Sequence, residues 1–305
     1  MKSGGREAYR GDVDISTCVT DEDYELWRQV RIAVVPYERT QSVAELRAGD
    51  SPDRLLVLAR DDSTVLGHGL AQRAESANSG GVIPRVLLEH RRRGVGSALL
   101  RRLSDHVASL GLPVLRASVD DEGSGIFAQR FGFTEVNREV EQTYTVTALP
   151  DLSPLPDGIE VVTAQQRPAL WEECFDRFGR EALAGFAVDT PLEVSLDRWM
   201  RDWLGDPMFL ALHDGEVVGC AGLGLDSDNP TRAENSLTAV RRDWRGRGIA
   251  VHLKQRTLAW AAEHGIAEVY TWTQDGNAAM RALNTRLGYV TTRTGIQMAR
   301  RLPLD

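Results

Sequence analysis

The feature that most constrains the fold is an internal repeat, in which two distant segments follow the same order of residue types. Each begins with an apolar, strand-like stretch, continues through a loop rich in arginine and glycine, and ends in an amphipathic helix. The loops are Arg91–Gly96 and Arg245–Ala250, so Gly96 and Ala250 lie 154 residues apart. A second landmark, Phe131-Gly132-Phe133, recurs as Leu287-Gly288-Tyr289 at an offset of 156 residues. The sequence therefore predicts two copies of one fold.

A proline-rich segment near the middle of the chain separates the two copies. It contains Pro150, Pro154 and Pro156 among Asp and Ser, a composition that continues neither a helix nor a central strand. We therefore expect a first domain at residues 1–149, a linker at 150–157 and a second domain at 158–305. In each domain we expect a strand, one or two helices, three strands, the loop with its helix, a strand, a short helix and final strands. The predicted fold class is α/β, with helices flanking a mixed sheet.

The charge balance and the cysteine content exclude several classes of partner. The chain has 36 Lys and Arg against 44 Asp and Glu, a net charge of −8, which argues against binding nucleic acid or an anionic membrane. Three cysteines without a CxxC pair, and histidines without HExxH spacing, predict neither a disulfide framework nor a metal site. No secretory signal or membrane-spanning run is present. We expect a cytoplasmic protein without metal, as a monomer or homodimer.

The two loops have the composition of an anion-binding site at the start of a helix. The first backbone N–H groups of a helix lack intrahelical partners and carry the positive end of its dipole, and glycine lets a ligand approach them. Neither loop is a Walker A sequence or a GxGxxG fingerprint, so nucleotide hydrolysis and NAD binding lose support. A diphosphate fits such a site. The candidate residues are Arg91, Arg92, Arg93, Gly94, Val95, Gly96 and Ser97 in the first loop, and Arg245, Gly246, Arg247, Gly248, Ile249 and Ala250 in the second.

Residues 240–250 resemble the acetyl-CoA signature of the GCN5-related N-acetyltransferase (GNAT) superfamily, [Q/R]xxGx[G/A] after a strand. Residues 86–96 match it again, so the resemblance covers nearly the whole chain as two tandem GNAT domains, the arrangement of mycothiol synthases. It implies largely antiparallel twisted sheets and acetyl-CoA as cosubstrate. It also implies that the strand before each loop pairs with pantetheine and polarises the thioester carbonyl through an N–H group. Those positions are Val86, Leu87 and Leu88, and Val240, Arg241 and Arg242.

The groups for proton transfer are expected in the second domain. Amide formation from a thioester needs one group that takes a proton from the amine and one that protonates the leaving thiolate. Glu234 stands where some branches of the superfamily carry a proton-accepting or acceptor-binding Glu, whereas the first domain has Gly80 at that offset. The resemblance thus implies a catalytic second domain.

The short helix before Leu287-Gly288-Tyr289 supports the same choice. By the resemblance, Asn277 reaches CoA, and Asn284 stands where many members use a Tyr as acid. The first domain has Asp121 and Ala128 at these places, and it either binds acetyl-CoA or only completes the fold. Proton donors left open are Tyr270, Tyr289 and water. The candidate catalytic residues are Glu234, Asn284 and Tyr270.

The expected activity is transfer of acetyl from acetyl-CoA to a primary amine of a small molecule, antibiotic-like or metabolic, by direct attack without a covalent enzyme intermediate. Two alternatives stay open, a protein or peptide amino group as acceptor and a non-catalytic acetyl-CoA-binding regulatory module. Aromatic residues of the second domain form either a wall of the acceptor cleft or, more simply, part of the core. They are Trp171, Phe175, Phe178, Trp199 and Trp203.

Overall fold

The computed structural model describes residues 13–74, 78–184, 194–204, 207–226 and 229–304, without the side chains of residues 202 and 203. This part of the chain forms two compact units. Unit 1 contains the residues up to Ala74, Asn78–Glu135 and the residues from Gln297 onward. Unit 2 contains Val136–Ile296.

Unit 1 is built on a sheet with the strand order β1-β2-β3-β4-β5. Neighbouring strands from β1 to β4 are antiparallel, whereas β4 and β5 are parallel and are joined by the crossover helix α3. The apolar face of α3 packs on β3 and β4, with the spacing that the sequence predicts. The elements are β1 (Asp14–Thr17), α1 (Asp21–Val34), α2 (Val43–Ala48), β2 (Arg54–Asp61), β3 (Thr64–Arg73), β4 (Ser79–Val86), α3 (Val95–Ser109), β5 (Val114–Val119) and α4 (Glu122–Arg130).

Unit 2 repeats this plan with the strand order β7-β8-β9-β10-β11, and again only the last pair is parallel. Beyond β11 the order continues with β6, which is antiparallel to β11, and then β12. The predicted α/β class, with largely antiparallel mixed sheets, is confirmed. The elements are β6 (Thr134–Thr145), β7 (Ile159–Thr163), α5 (Pro168–Glu173), a π-helical turn (Phe175–Gly179), α6 (Arg180–Ala184), α7 (Leu196–Trp203), β8 (Met208–His213), β9 (Glu216–Leu225), β10 (Arg232–Val240), α8 (Ile249–Glu263), β11 (Glu268–Gln274), α9 (Ala278–Arg286) and β12 (Val290–Arg301).

The compact units do not coincide with the two halves of the sequence. Residues 136–149 precede the predicted linker but belong to unit 2, and the residues from Gln297 onward belong to unit 1. The strands responsible, β6 and β12, have 12 residues each, about 40 Å at roughly 3.3 Å per residue. They exceed every other described strand in length. The boundaries 1–149, 150–157 and 158–305 rest on the repeat alone and stay a prediction.

The aromatic side chains on the helices of unit 2 form its core. Trp171 and Trp199 stack with ring centroids 4.1 Å apart, and Trp199 Nε1 donates a hydrogen bond to Trp171 O at 3.0 Å. Phe175 and Phe178 are buried in the same cluster. The packing interpretation therefore holds for these four, and the side chain of Trp203 lies outside the described residues.

Candidate active site

The two arginine–glycine loops have nearly the same backbone conformation. Gly94 (φ 89°, ψ −14°) and Gly248 (φ 85°, ψ −6°) precede α3 and α8 in the left-handed region that favours glycine. A Cβ at Gly94 would meet no atom within 4 Å, and one at Gly248 would meet only Pro154 O, at 3.9 Å. Both helix starts are therefore open, as anion binding by their N–H groups requires.

Two of the predicted loop arginines hold the loop to the preceding strand. Arg91 Nε donates to Val86 O at 3.1 Å, and Arg245 Nε donates to Val240 O at 2.9 Å. Each guanidinium thus closes the turn that brings the helix start beside the end of the strand.

Other arginines around the second loop have partners in the protein. Arg241 forms ion pairs with Asp243 (2.8 Å) and Glu216 (3.1 Å), which raise the pKa of Arg241. Arg247 lies over the Trp244 ring at 4.5 Å. The α8 start has no side-chain cap among the described residues, so its first N–H groups, rather than free guanidinium groups, are the part of this loop whose geometry suits an anion.

A fork opens beside each loop, where two parallel strands separate. Three residue pairs join β4 to β5, the last being Gly81↔Arg116, and three join β10 to β11, the last being Glu234↔Tyr270. Past these pairs the strands have no ladder pairing among the described residues. We call the gap between residues 82–86 and 117–119 fork 1, and the gap between residues 235–240 and 271–274 fork 2.

Backbone N–H groups point into the forks at alternate residues. Leu87 N–H donates to Leu66 O (3.0 Å) and Arg241 N–H donates to Val218 O (2.9 Å), both away from the fork. Since successive N–H groups of a strand point to opposite sides, those of Val86 and Val240 face the forks. Of the predicted strand positions, Leu87 and Arg241 thus direct their N–H groups elsewhere, and Arg242 N–H is bound to the Glu181 carboxylate (2.6 Å).

The forks differ two residues earlier on the strand. Thr238 of β10 supplies a second N–H toward fork 2, but its counterpart on β4 is Pro84, which has no N–H. The sequence analysis missed this difference, although Pro84 is visible seven residues before Arg91, where the Arg-rich run begins.

A β-bulge in β10 changes the equivalence that the sequence suggests for Glu234. The register of β10 against β9 shifts by one residue between Glu234 and Leu237, whereas β4 pairs with β3 without a shift. The counterpart of Glu234 is therefore Gly81, not Gly80 as the constant offset predicts. Gly80 corresponds to Ala233 and faces α3, where a Cβ would come within 2.5 Å of Val107.

Glu234 projects from the same face of the sheet as Tyr270. The two are directly opposite in the ladder, and Arg232, two residues before Glu234, shares that face. The Arg232 guanidinium lies 3.9 Å above the Tyr270 ring, and its Nε is 2.6 Å from Glu268 Oε1. Tyr270 is buried, and we call this side of unit 2 the Glu234 face.

Strand β6 adds a buried carboxylate to the Glu234 face. Glu141, opposite Trp272 in the ladder, has a side chain only 2% exposed. Thr292 Oγ1 donates to Glu141 Oε1 at 2.8 Å, and Arg232 Nη2 lies 3.9 Å from Glu141 Oε2, beyond hydrogen-bond range. Sequence reasoning missed Glu141 because it assigned β6 to the other domain.

The predicted residues of α9 do not reach the Glu234 face. Asn277 caps α9 by accepting from Met280 N–H (3.2 Å), as Asp121 caps α4. Asn284 is fully buried, and its Nδ2 donates to Gln142 Oε1 (3.0 Å) on the opposite side of the sheet. Tyr289 is also buried there, and burial raises the pKa of its phenol. The structure thus separates Asn284 and Tyr289 from Glu234 and Tyr270 by the thickness of the sheet.

The described residues offer no activated cysteine nucleophile. All three cysteines are buried and free, and burial raises the pKa of Cys18 and Cys174 to about 12 and also raises that of Cys220. No group of three or more His, Cys, Asp or Glu in this part of the chain is placed to hold a metal ion. No helix within the described ranges is long and apolar enough to cross a membrane.

Comparisons with known proteins agree with this architecture. The Acetyltransferase (GNAT) family model matches residues 20–133 and 170–289. A mycothiol acetyltransferase of Actinosynnema mirum is 25% identical over 260 residues, covering 83% of this chain and 86% of the relative. One of Saccharomonospora viridis is 26% identical over 230 residues, covering 69% and 71%.

Solved structures share the fold over nearly the full length. A tandem GNAT protein from the clavulanic acid biosynthesis pathway has a TM-score of 0.76 at 17% identity, covering 96% of this chain and 100% of that one. A GCN5-related N-acetyltransferase from Sphaerobacter thermophilus has a TM-score of 0.71 at 18% identity, with 95% of each chain covered.

Two open helix starts, each beside a fork between parallel strands, define a tandem acyltransferase. The chain belongs to the GNAT family and carries two of its domains. It is an acetyl-CoA-dependent N-acetyltransferase.

Proposed function

We propose that unit 2 transfers acetyl from acetyl-CoA to a primary amine of a small molecule bound on the Glu234 face. The observation that carries this proposal is the make-up of fork 2, where two N–H groups, from Thr238 and Val240, adjoin a carboxylate-bearing face. In this proposal the bare N–H groups of α8 bind the diphosphate, and Val240 N–H polarises the thioester carbonyl. Glu234 takes the proton of the attacking amine, directly or through one water.

A cationic small molecule is the acceptor class that fits the Glu234 face. Glu234 and Glu141 give this face half-buried and buried negative charge, and the half-buried Trp272 gives it aromatic surface. The name of the two curated relatives, mycothiol acetyltransferase, refers to a small molecule and supports this class. A cytoplasmic location is a further proposal, and the three free cysteines, all of them buried, are consistent with a reducing compartment.

We assign unit 1 to acetyl-CoA binding without turnover. Its helix start is as open as that of α8, but fork 1 has Pro84 and Gly81 where fork 2 has Thr238 and Glu234. The face of unit 1 that corresponds to the Glu234 face is occupied near the fork by Arg85, which binds Glu38 through two hydrogen bonds (2.8 and 2.7 Å). Arg85 therefore covers part of this face beside fork 1, and the Glu38 carboxylate there is already paired with it.

Thiol release from acetyl-CoA, measured over a panel of small amines and peptide amino groups, tests the assignment. Gly248→Val should abolish release because a side chain at φ 85° distorts the α8 start, whereas Gly94→Val should leave at least half of it. The two variants carry the same strain, so Gly94→Val is the matched control. Release that depends on Gly94 alone, or only with peptide acceptors, would contradict the proposal.

A further inference from the structure

Lys254 of α8 is a buried lysine without an ion-pair partner among the described residues. Its side chain is fully enclosed, at 1% exposure, and its Nζ donates to Asn235 Oδ1. The ammonium also lies 5.0 Å from the centroid of the Tyr289 ring. An ammonium carries three donors, and Asn235 accepts one of them.

Packing does not explain a lysine at this place. The equivalent residue of α3 is Leu100, which fills the same position in unit 1 with hydrocarbon. Burying an ammonium is unfavourable unless a partner compensates for the lost hydration. Desolvation accordingly lowers the pKa of Lys254 to about 7, so the side chain exchanges a proton near neutral pH.

The ammonium lies at the apex of fork 2. Asn235 directly follows Glu234, the last residue of β10 that pairs with β11, and it belongs to the bulge that β4 lacks. Thr271, the first residue of β11 past that pairing, donates its hydroxyl to Asn235 O at 3.1 Å. Lys254 therefore meets the fork from the α8 side, while Glu234 meets it from the opposite face.

Several polar atoms on the α8 side are buried without a hydrogen-bond partner in the described part of the chain. They include Asn284 Oδ1, the Tyr289 hydroxyl and Thr238 Oγ1, the last on β10 beside fork 2. Buried polar atoms are almost always satisfied, so these atoms, with the spare donors of Lys254, mark the α8 side of fork 2 as a place where a polar ligand group would find partners. Tyr289 is a poor proton donor because burial raises its pKa, and Asn284 has no acidic proton.

We propose that Lys254 donates the proton to the CoA thiolate when the thioester breaks in unit 2. This inference rests on the function proposed above for that unit. The amine nitrogen forms a bond to the carbonyl carbon, and the carbon–sulfur bond breaks with its electron pair going to sulfur. The proton of the amine goes to the Glu234 carboxylate, and a proton of the Lys254 ammonium goes to sulfur. Glu234 then releases its proton to water, and Lys254 takes one up before the next turnover.

The pKa of the CoA thiol in its complex with the full chain tests the proposal without turnover. It is measured from thiolate absorbance, with desulfo-CoA as the blank, and the buried protein thiols stay protonated in the same pH range. In the wild-type complex the ammonium should lower the pKa of the CoA thiol by at least one unit. Lys254→Met should lose this shift, while its affinity for desulfo-CoA should equal that of the wild type. The titratable groups facing Lys254 are Tyr289 and, behind it, Tyr144, with ring centroids 5.4 Å apart.

Turnover gives a second readout. Lys254→Met should lower kcat about 100-fold with KM for acetyl-CoA within about threefold, whereas Leu100→Met, the matched change in unit 1, should alter neither. Asn235→Asp keeps the lysine but places a carboxylate beside it, which neutralises the positive charge. This variant should also lose the shift of the thiol pKa. It therefore tests the proposal even if Lys254→Met does not fold. An unchanged thiol pKa in both variants, or an unchanged kcat, would overturn the proposal. A wild type that releases no CoA with any amine would contradict the proposed function instead.

Discussion

Three positions near the forks carry polar groups in unit 2 that unit 1 lacks. Two of these differences lie on strands, where the residue type alone decides whether a carboxylate or a backbone N–H group is present. The sequence reveals both once the strand register is known. Lys254 is different, because a lysine on a helix is normally exposed and the apolar periodicity of α8 gives no reason to bury it. The pairs are Glu234 and Gly81, Thr238 and Pro84, and Lys254 and Leu100.

Glu234→Gln should lower kcat about 10²- to 10⁴-fold, the usual contribution of a positioned base, with little change in KM for acetyl-CoA. A carboxylate base works only when ionised, so wild-type activity falls as pH drops through its pKa, and the variant should lose this acidic limb. Rates measured across pH check the prediction. Glu268→Gln, on the same face and paired with Arg232, is the control and should keep the limb. Identical pH profiles would remove Glu234 from the mechanism.

At the scale of elements, the loops were predictable and the bulge was not. The local signals are Gly94, Gly248 and the apolar face of the helix that follows each glycine. The structure confirms α3 and α8 at the places that these signals predict. The bulge in β10 depends on how β10 pairs with β9, which no local pattern encodes, and this is why the constant offset misplaced the counterpart of Glu234.

The loops also differ in backbone strain, which gives a stability prediction. Arg92 adopts φ 66° where the second loop has Gly246 at φ 76°. Because a left-handed conformation costs a non-glycine residue about 1 kcal/mol, Arg92→Gly should raise the stability of unit 1 by up to about that amount. Gly246→Ala should destabilise unit 2 by a similar amount. Thermal unfolding checks both, with Arg93→Gly as the control that should bring no gain; equal effects of Arg92→Gly and Arg93→Gly would refute the strain argument.

At the scale of the whole molecule, the repeat fixes the two-copy plan but not the path of its longest strands. Element order follows from local patterns, whereas the neighbours of β6 and β12 are decided by contacts between distant parts of the chain. In unit 1, Arg300 Nη1 donates to Phe131 O and Leu302 N–H donates to Pro113 O (2.9 Å). The predicted boundaries follow the repeat alone and stay a prediction, while the compact units place residues 136–149 in unit 2 and the residues from Gln297 onward in unit 1.

A chain that ends at Ile296 should lose stability mainly in unit 1. It lacks the buried Met298 and the contacts of Arg300 and Leu302, although all of unit 1 before residue 136 is intact. Calorimetry should show the unit 1 transition lowered by several degrees and that of unit 2 little changed. A chain that ends at Leu302 is the control and should melt like wild type. Equal loss in both transitions would contradict the division of residues between the units.

The way that residues of β6 and β12 are divided between the compact units bears on how such a protein evolves after gene duplication. Neither half, cut at the proline-rich segment, contains all residues of one compact unit, because residues 136–149 belong to unit 2 and the residues from Gln297 onward belong to unit 1. Mutation can remove reacting groups from one copy, but deleting that copy also removes residues that belong to the other compact unit. Selection for the activity of one domain therefore also preserves the fold of the other domain, even when that other domain catalyses no reaction.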